Sequence, residues 1–194
     1  GVRCTNYFGD RFQGTTIDNA KWSENDANDY IAQNNKLYIS GGNNDWVSCA
    51  LVSNQTFTRA DYMLEFTYKP INQPYTMLGF KDASGGYSYT KFIYAIYCAG
   101  NNIYIYEDGT NRGAVGYTMT NNNRYDLRIA LNSTQGAKYY LKPDTSDIWT
   151  QIYNSTYSTE GSLKAGFTHY VRSFELDDIF IDKKSFDSEN DGSD

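Results

Sequence analysis

Short runs of alternating hydrophobic and polar residues cover most of the chain, and clusters of turn-forming residues separate them. Because successive side chains of a strand point to opposite faces, this two-residue period predicts β-strands. Clear examples are residues 62–68, 125–131 and 175–182, and Asn34–Asn35 predicts a hairpin turn between two short strands. No window has a sustained helical period, and no run approaches the ~20 apolar residues of a membrane helix. We expect about twelve to fourteen strands in an all-β, two-sheet antiparallel sandwich of the jelly-roll type.

The stretch from Tyr87 to Tyr106 predicts two of these strands, joined by a turn at residues 99–102. Its apolar face is expected to belong to the core and consists of Phe92, Tyr94, Ile96, Cys98, Ile103 and Ile105. Its other face carries Tyr87, Tyr89, Lys91, Tyr97, Tyr104 and Tyr106. Tyrosine combines a flat apolar ring with a polar tip, which suits a partly wet surface that binds a ligand. We therefore predict a binding surface on this second face.

A tryptophan in a neighbouring predicted strand extends this interpretation. Residues 45–52 predict a strand with Val47, Cys49 and Leu51 directed inward and Trp46 on the opposite face. The residues beside Trp46 on that face are small, which leaves an open platform for a sugar ring. The alternative is that Trp46 packs beneath a loop, and the sequence does not decide between the two.

The formal net charge of −6 changes the choice of ligand. A nucleic-acid-binding protein usually carries a basic stripe, whereas the only local cluster here is Lys183–Lys184. Nucleic acid and anionic membrane surfaces are therefore disfavoured, and a neutral, hydroxyl-rich ligand fits better. Of the three cysteines, we expect Cys49 and Cys98 to be buried thiols, although a bridge between them stays open, and Cys4 is left over.

Three segments resemble one family. Phe8-Gly-Asp-Arg-Phe12 with Gly14-Thr-Thr-Ile-Asp18 and Trp22 resembles the opening of concanavalin A-like (laminin G-like) β-sandwich modules of secreted microbial proteins. Residues 53–66 and the last strand, residues 175–182, resemble the same modules. The resemblance implies one sandwich over residues 1–184, with the last strand paired to the first and Trp22 plugging one end. Residues 185–194 are predicted to be an acidic linker or tail.

The resemblance also implies a structural calcium ion. In related modules, an acid near the first strand and one in the last strand hold Ca²⁺ between the sheets. The matching positions here are Asp10 with Asp177 or Asp178. The alternative is that these carboxylates cap turns or face solvent.

The resemblance includes enzymes, notably family 16 glycoside hydrolases, which carry Glu-x-Asp-x-x-Glu on one strand. The nearest match, Glu175-Leu-Asp177, lacks the second glutamate, so we expect that mechanism to be absent. His169, the only histidine, together with Tyr170 and Arg172, leaves a polysaccharide lyase as an alternative. A single histidine in a strand is more typical of a structural residue.

The sequence thus predicts a non-catalytic carbohydrate-binding module of a larger extracellular or cell-surface protein. The predicted platform consists of Trp46, Tyr89, Tyr104 and Tyr106, and its polar companions are Asp82, Lys91 and Arg112. Rings would stack on sugar faces while the polar groups bind hydroxyls. The alternatives are a lyase or hydrolase on the same fold, and an adhesion or surface-structural module that contacts protein.

Overall fold

The structure is a computed structural model, and it describes residues 7–58, 62–132, 136–159 and 161–183. In chain order, its strands are β1 (Phe8–Asp10), β2 (Trp22–Asp26), β3 (Ile31–Gln33), β4 (Leu37–Ile39), β5 (Cys49–Ser53), β6 (Phe57–Thr58), β7 (Tyr62–Pro70), β8 (Tyr75–Asp82), β9 (Phe92–Ala99), β10 (Asn102–Glu107), β11 (Thr110–Thr118), β12 (Tyr125–Leu131), β13 (Ala137–Pro143), β14 (Thr150–Ser155), β15 (Ser162–Val171) and β16 (Phe174–Lys183). One short 3₁₀ helix, Tyr89–Lys91, precedes β9.

The strands form two antiparallel sheets of eight, which confirms the predicted all-β sandwich. Sheet A has the order β14-β13-β12-β7-β16-β4-β3, and β1 also pairs with β16. Sheet B has the order β11-β10-β9-β8-β15-β5-β2, and β6 also pairs with β15. The pairing of the first strand with the last is the one that the resemblance implied. No helix among the described residues has the length and hydrophobicity that crossing a membrane requires.

The inner faces of the sheets meet in one apolar core, as the two-residue alternation predicted. In sheet A the inward residues include Leu64, Phe66 and Leu127, and in sheet B they include Ile96 and Ile105; all are fully buried. Trp22 is 1% exposed and packs edge-on against Phe8 at one end of the sandwich. Trp22 is therefore the predicted plug. Residues facing away from this core form the outer face of each sheet.

Two local predictions are wrong, and both errors lie beside the predicted binding surface. Tyr87–Lys91 does not continue the strand, because the chain forms a loop and the 3₁₀ helix before β9 begins at Phe92. A register shift opposite Phe80 and Lys81 inserts one extra residue, so Phe92 lies on the outer face instead of beside Tyr94. Likewise β5 begins at Cys49, and Val47 lies in a bend with 44% of its surface exposed.

Cys49 and Cys98 are free and buried, so the buried-thiol interpretation is confirmed. Burial raises the pKa of each thiol to about 12, which keeps both protonated and unreactive at neutral pH. Cys4 and the predicted tail at 185–194 lie outside the described residues.

Candidate functional site

Six aromatic side chains lie together on the outer face of sheet B. We call them the aromatic face, and they are Trp46, Tyr89, Tyr97, Tyr104, Tyr106 and Tyr170. The centroids of neighbouring rings are 5.2–6.3 Å apart, and Trp46 contacts Tyr89, Tyr97 and Tyr170. All six are partly exposed. The four predicted platform residues are therefore brought together, and their rings are neither sealed in the core nor fully solvated.

The strand register explains why these rings meet. Tyr104 on β10 pairs with Tyr97 on β9, which pairs with Met77 on β8, so their side chains form one row across the sheet. Beneath the rings lie Met77, Phe92 and Ala95, all buried. This second, smaller apolar cluster supports the rings from below and holds the outer face flat.

The next row along the strands carries almost no side chain. Gly166 pairs with Gly79, which pairs with Ala95, which pairs with Tyr106. A Cβ atom at Gly79 would lie 2.1 Å from the Tyr94 carbonyl oxygen, so the backbone geometry itself demands glycine there. Gly79, Ala95 and Gly166 are all buried, so the strands pack closely along this row. The result is a low floor beside the aromatic rings.

Trp46 stands on a loop that is fixed by hydrogen bonds. One carboxylate oxygen of Asp45 accepts from the backbone N–H groups of Val47 (2.8 Å) and Ser48 (2.7 Å), and the other accepts from the Ser48 hydroxyl. Desolvation alone would raise the pKa of Asp45, but these hydrogen bonds lower it below its ordinary value. The Thr168 hydroxyl donates to the Trp46 carbonyl (2.6 Å), which ties the loop to β15. Trp46 is thus held in place before any ligand arrives.

Two tyrosines of this face, Tyr97 and Tyr106, are neutral hydrogen-bonding groups. Burial is the main cause that raises the pKa of Tyr97 to about 12, and the nearby Tyr75 phenol adds to it. Burial and the nearby Tyr89 likewise raise the pKa of Tyr106. These two phenols therefore keep their protons at neutral pH and can both donate to and accept from a hydroxyl.

The three predicted polar companions divide between two places. Asp82 and Lys91 flank the loop that enters the 3₁₀ helix, and an Asp82 carboxylate oxygen accepts from Ser84 N–H (2.9 Å) and its hydroxyl (2.8 Å). Arg112 lies elsewhere: its Nε donates to Glu107 Oε1 (3.1 Å) and its guanidinium lies over the Tyr157 ring. Arg112 therefore stabilises a buried carboxylate and does not contact the aromatic face.

The acids considered for catalysis lie on the other sheet or are already paired. Glu175 forms an ion pair with Lys36 (3.1 Å), and Asp177 forms one with Arg124 (2.6 Å), both on sheet A. Glu107 is fully buried and accepts hydrogen bonds from Arg112, Ser155 and Tyr139. We find no pair of carboxylates on the aromatic face within the described residues.

The lyase residues do not converge either. His169 is fully buried on the inner face of β15, where its ring packs against Phe174, while Tyr170 points outward to Trp46. The His169 Nε2–H donates to the Arg172 carbonyl (2.6 Å), and the Arg172 guanidinium lies over Tyr75. Burial lowers the pKa of His169 to about 4. His169 is therefore a neutral structural residue here.

The carboxylates proposed for calcium do not fit a shared ion. Asp10 accepts from Phe12 N–H (2.7 Å) and from the Trp22 indole (2.8 Å), while Asp178 accepts from the Thr67 hydroxyl (2.8 Å). Asp177 is held by Arg124. The described residues contain no group of three or more acidic, histidine or cysteine side chains that could hold a metal. In the structure these carboxylates accept hydrogen bonds or form an ion pair within the protein, which is closer to the alternative that they cap turns.

Two members of the aromatic face, Tyr97 and Tyr170, are not among the predicted platform residues. Tyr97 was on the correct face of the predicted hairpin, so alternation alone could have identified it. Tyr170 was considered only beside His169, and its place next to Trp46 depends on the pairing of β15 with β5 and β8. That pairing joins distant parts of the chain and leaves no local signal.

Comparisons with known proteins identify the fold. No protein-family model matches the chain, and no curated protein sequence matches it. Among solved structures, the Emp47p carbohydrate recognition domain has 12% identity and a TM-score of 0.65, covering 94% of this chain and 99% of that one. The Ca²⁺-bound exoplasmic/lumenal domain of VIP36 has 9% identity and a TM-score of 0.62, covering 84% and 82%. A beta-1,3-glucanase from Mycobacterium marinum has 9% identity and a TM-score of 0.58, covering 91% and 98%.

These neighbours confirm a concanavalin A-like, lectin-type β-sandwich. They include sugar-recognition domains as well as a glucanase, and at such low identity they establish the fold alone.

Proposed function

We propose that this chain is a carbohydrate-binding module and that the aromatic face is its binding surface. The observation that carries the proposal is the set of six partly exposed rings held over a buried apolar base. Flat rings with polar tips contact the apolar face of a sugar ring while their hydroxyls bind its hydroxyl groups. The saccharide would lie across the exposed parts of these rings, beside the glycine floor.

The proposed module binds without breaking bonds. Asp45 and Asp82 lie beside the aromatic face, and the pKa of each is lowered by hydrogen bonds, from Val47 and Ser48 to Asp45 and from Ser84 to Asp82. A carboxylate so stabilised is a poor proton donor at neutral pH. We further propose that the module works in an extracellular or cell-surface protein, where polysaccharides are available.

Substitution of the rings tests the proposal. Affinities for a panel of soluble polysaccharides are measured for the wild type, Trp46→Ala and Tyr104→Ala. We expect each substitution to weaken binding at least about fivefold, because one stacked ring contributes about 1 kcal/mol. Tyr38→Ala is the matched control, since Tyr38 is a partly exposed tyrosine on the outer face of sheet A.

Unchanged affinity in both aromatic variants would refute the binding surface. The same polysaccharides are also assayed for new reducing ends and for unsaturated uronates. Release of either product by the wild type would contradict non-catalytic binding and would favour an enzyme.

A further inference from the structure

Two lysines lie on the outer face of sheet B, next to the aromatic face, and a third lies in the 3₁₀ helix that precedes β9. Lys81 on β8 pairs directly with Lys164 on β15, and Lys81 also pairs with Phe92 on β9. Lys91 follows Tyr89 in the 3₁₀ helix and lies against Gly85. The Lys81–Lys164 row is two residues beyond the glycine floor, about 7 Å along the strands. Lys81 and Lys164 therefore lie beyond the glycine floor, on the same face of sheet B as the aromatic rings.

These ammonium groups lack the partners that lysines have on sheet A. Among the described residues, Lys36, Lys69 and Lys142 form ion pairs with carboxylates, whereas Lys81, Lys91 and Lys164 form none. Lys81 Nζ donates to the Asp82 carbonyl (2.5 Å), and the side chain is only 2% exposed. The Asp82 carboxylate is close enough to offset part of the positive charge.

The arrangement is unfavourable in the absence of an anion. Like charges on directly opposed residues destabilise a sheet, and burial penalises the charged form of an amine. Accordingly, burial first and the neighbouring Lys164 next lower the pKa of Lys81. The cluster is also positive on a chain whose net charge is −6. A bound anionic group would supply the missing partner.

We propose that the saccharide bound by the aromatic face is acidic, that Lys91 and Lys164 hold its carboxylate or sulfate group, and that the buried Lys81 adds positive charge beneath them. This inference rests on the proposed function and specifies its ligand. It replaces the neutral ligand that the net charge had favoured, because the local charge at the site is opposite to that of the whole chain. An acidic polysaccharide provides both requirements of the site, sugar rings for stacking and fixed anionic groups beside them.

Paired polymers separate charge from sugar. Binding is measured by titration calorimetry for polygalacturonate and its fully methyl-esterified form, for dextran sulfate and dextran, and for alginate. The first pair isolates the carboxylate and the second isolates the sulfate ester. Single-stranded oligothymidylate is included because rings beside lysines also suit a nucleic acid.

We expect at least one acidic polymer to bind about tenfold or more tightly than its uncharged counterpart, with the affinity falling as salt rises. Lys164→Gln and Lys91→Gln should each lower that affinity about tenfold, the loss expected for one hydrogen bond to a charged group. Lys164→Gln should leave binding of an uncharged polymer unchanged. Lys69→Gln, which removes a charge from sheet A, is the matched control.

Each other outcome overturns a specific step. Equal affinity for the charged and uncharged polymers, still lost in Tyr104→Ala, refutes the lysine site and leaves the carbohydrate surface standing. An equal loss of affinity in Lys69→Gln shows only general charge attraction and also refutes the lysine site. Binding of oligothymidylate as tightly as the best acidic polymer assigns the lysines to nucleic acid. Absence of binding to every polymer overturns the proposed function together with this inference.

Discussion

The outer faces of the two sheets have the same strand geometry but opposite contact patterns. On sheet A, charged side chains pair with one another, as in Arg128–Glu65 (3.4 Å) and Lys142–Asp126 (2.9 Å). On sheet B, aromatic rings contact one another, and Lys81 and Lys164 face each other without a carboxylate in ion-pair contact among the described residues.

This difference in side-chain contacts suggests that the outer face of sheet A serves stability and that of sheet B serves binding. The ion pairs on sheet A occupy their charged groups within the protein, so an incoming ligand would have to displace these partners. On sheet B the rings are partly exposed, and Lys91 and Lys164 form no ion pair among the described residues, so a ligand that binds them displaces no carboxylate. We therefore expect substitutions on sheet A to change stability more than binding, and those on sheet B to do the reverse.

The largest expected effect is the loss of a buried charge pair on sheet A. Arg128 is 5% exposed, pairs with Glu65 and lies over the Trp149 ring, 3.9 Å from its centroid. Arg128→Met should lower the free energy of unfolding by about 4 kcal/mol, because it removes this partner from a buried carboxylate. Urea denaturation measures the change.

Lys164→Met is the matched control, since it removes a positive charge from the corresponding face of sheet B. It should leave the free energy of unfolding within about 0.5 kcal/mol of the wild type. The comparison of the faces fails if Lys164→Met is the more destabilising of the two variants.

The two faces of β15 provide the second test, because His169 and Tyr170 are adjacent in sequence but lie on opposite sides. The folded pKa of His169 is about 4, below its ordinary value of about 6.5, so the unfolded chain binds a proton that the folded protein excludes. Stability is therefore greatest above about pH 6.5 and falls as the pH decreases towards 4, by about 3 kcal/mol in total.

His169→Gln keeps a side-chain N–H for the Arg172 carbonyl and removes the titration. Its free energy of unfolding should depend less on pH between 6.5 and 5, where most carboxylates are still ionised. Saccharide affinity should stay constant over the same interval, since Tyr170 and not His169 faces the ligand. An identical pH dependence in wild type and variant would show that His169 is protonated in the folded protein.

The sequence predicted the sandwich because burial on one face imposes a two-residue period, which Leu64, Phe66 and Ile105 follow. It also predicted that Trp46, Tyr89, Tyr104 and Tyr106 share a surface, although Trp46 was expected in a strand and lies on a loop. A tyrosine at a strand position that faces solvent is a local signal, because a smaller polar or charged residue is more usual there. No knowledge of strand order is needed to detect it.

The remaining features depend on register between distant strands. Phe92 lies on the outer face, and not on the predicted inner face, because β9 has one extra residue opposite β8. The alternation of residue types cannot detect such an insertion. The pairing of Lys81 with Lys164 requires β8 and β15 to be neighbours, and no residue near either lysine indicates that. Arg112 was expected at the surface site but forms an ion pair with Glu107. Glu107 is completely buried because β10 packs against distant parts of the chain.

The smallest expected effect has the opposite sign to the others. Lys81→Met replaces a buried, like-charged neighbour of Lys164 with an apolar side chain of similar length, so it should raise the free energy of unfolding by about 1 kcal/mol. Because the pKa of Lys81 is lowered on folding, the folded wild type binds the proton of this ammonium group less well than its unfolded chain does. The penalty is present at neutral pH and disappears as the pH rises towards 10.5, so the free energies of unfolding of the two proteins should converge there.

The same variant should lose affinity for acidic polysaccharide, so that one substitution would raise stability and weaken binding. A Lys81→Met protein that is less stable than the wild type at neutral pH would instead make Lys81 a structural residue, held by the Asp82 carbonyl, and the contrast between the two outer faces would no longer extend to their lysines.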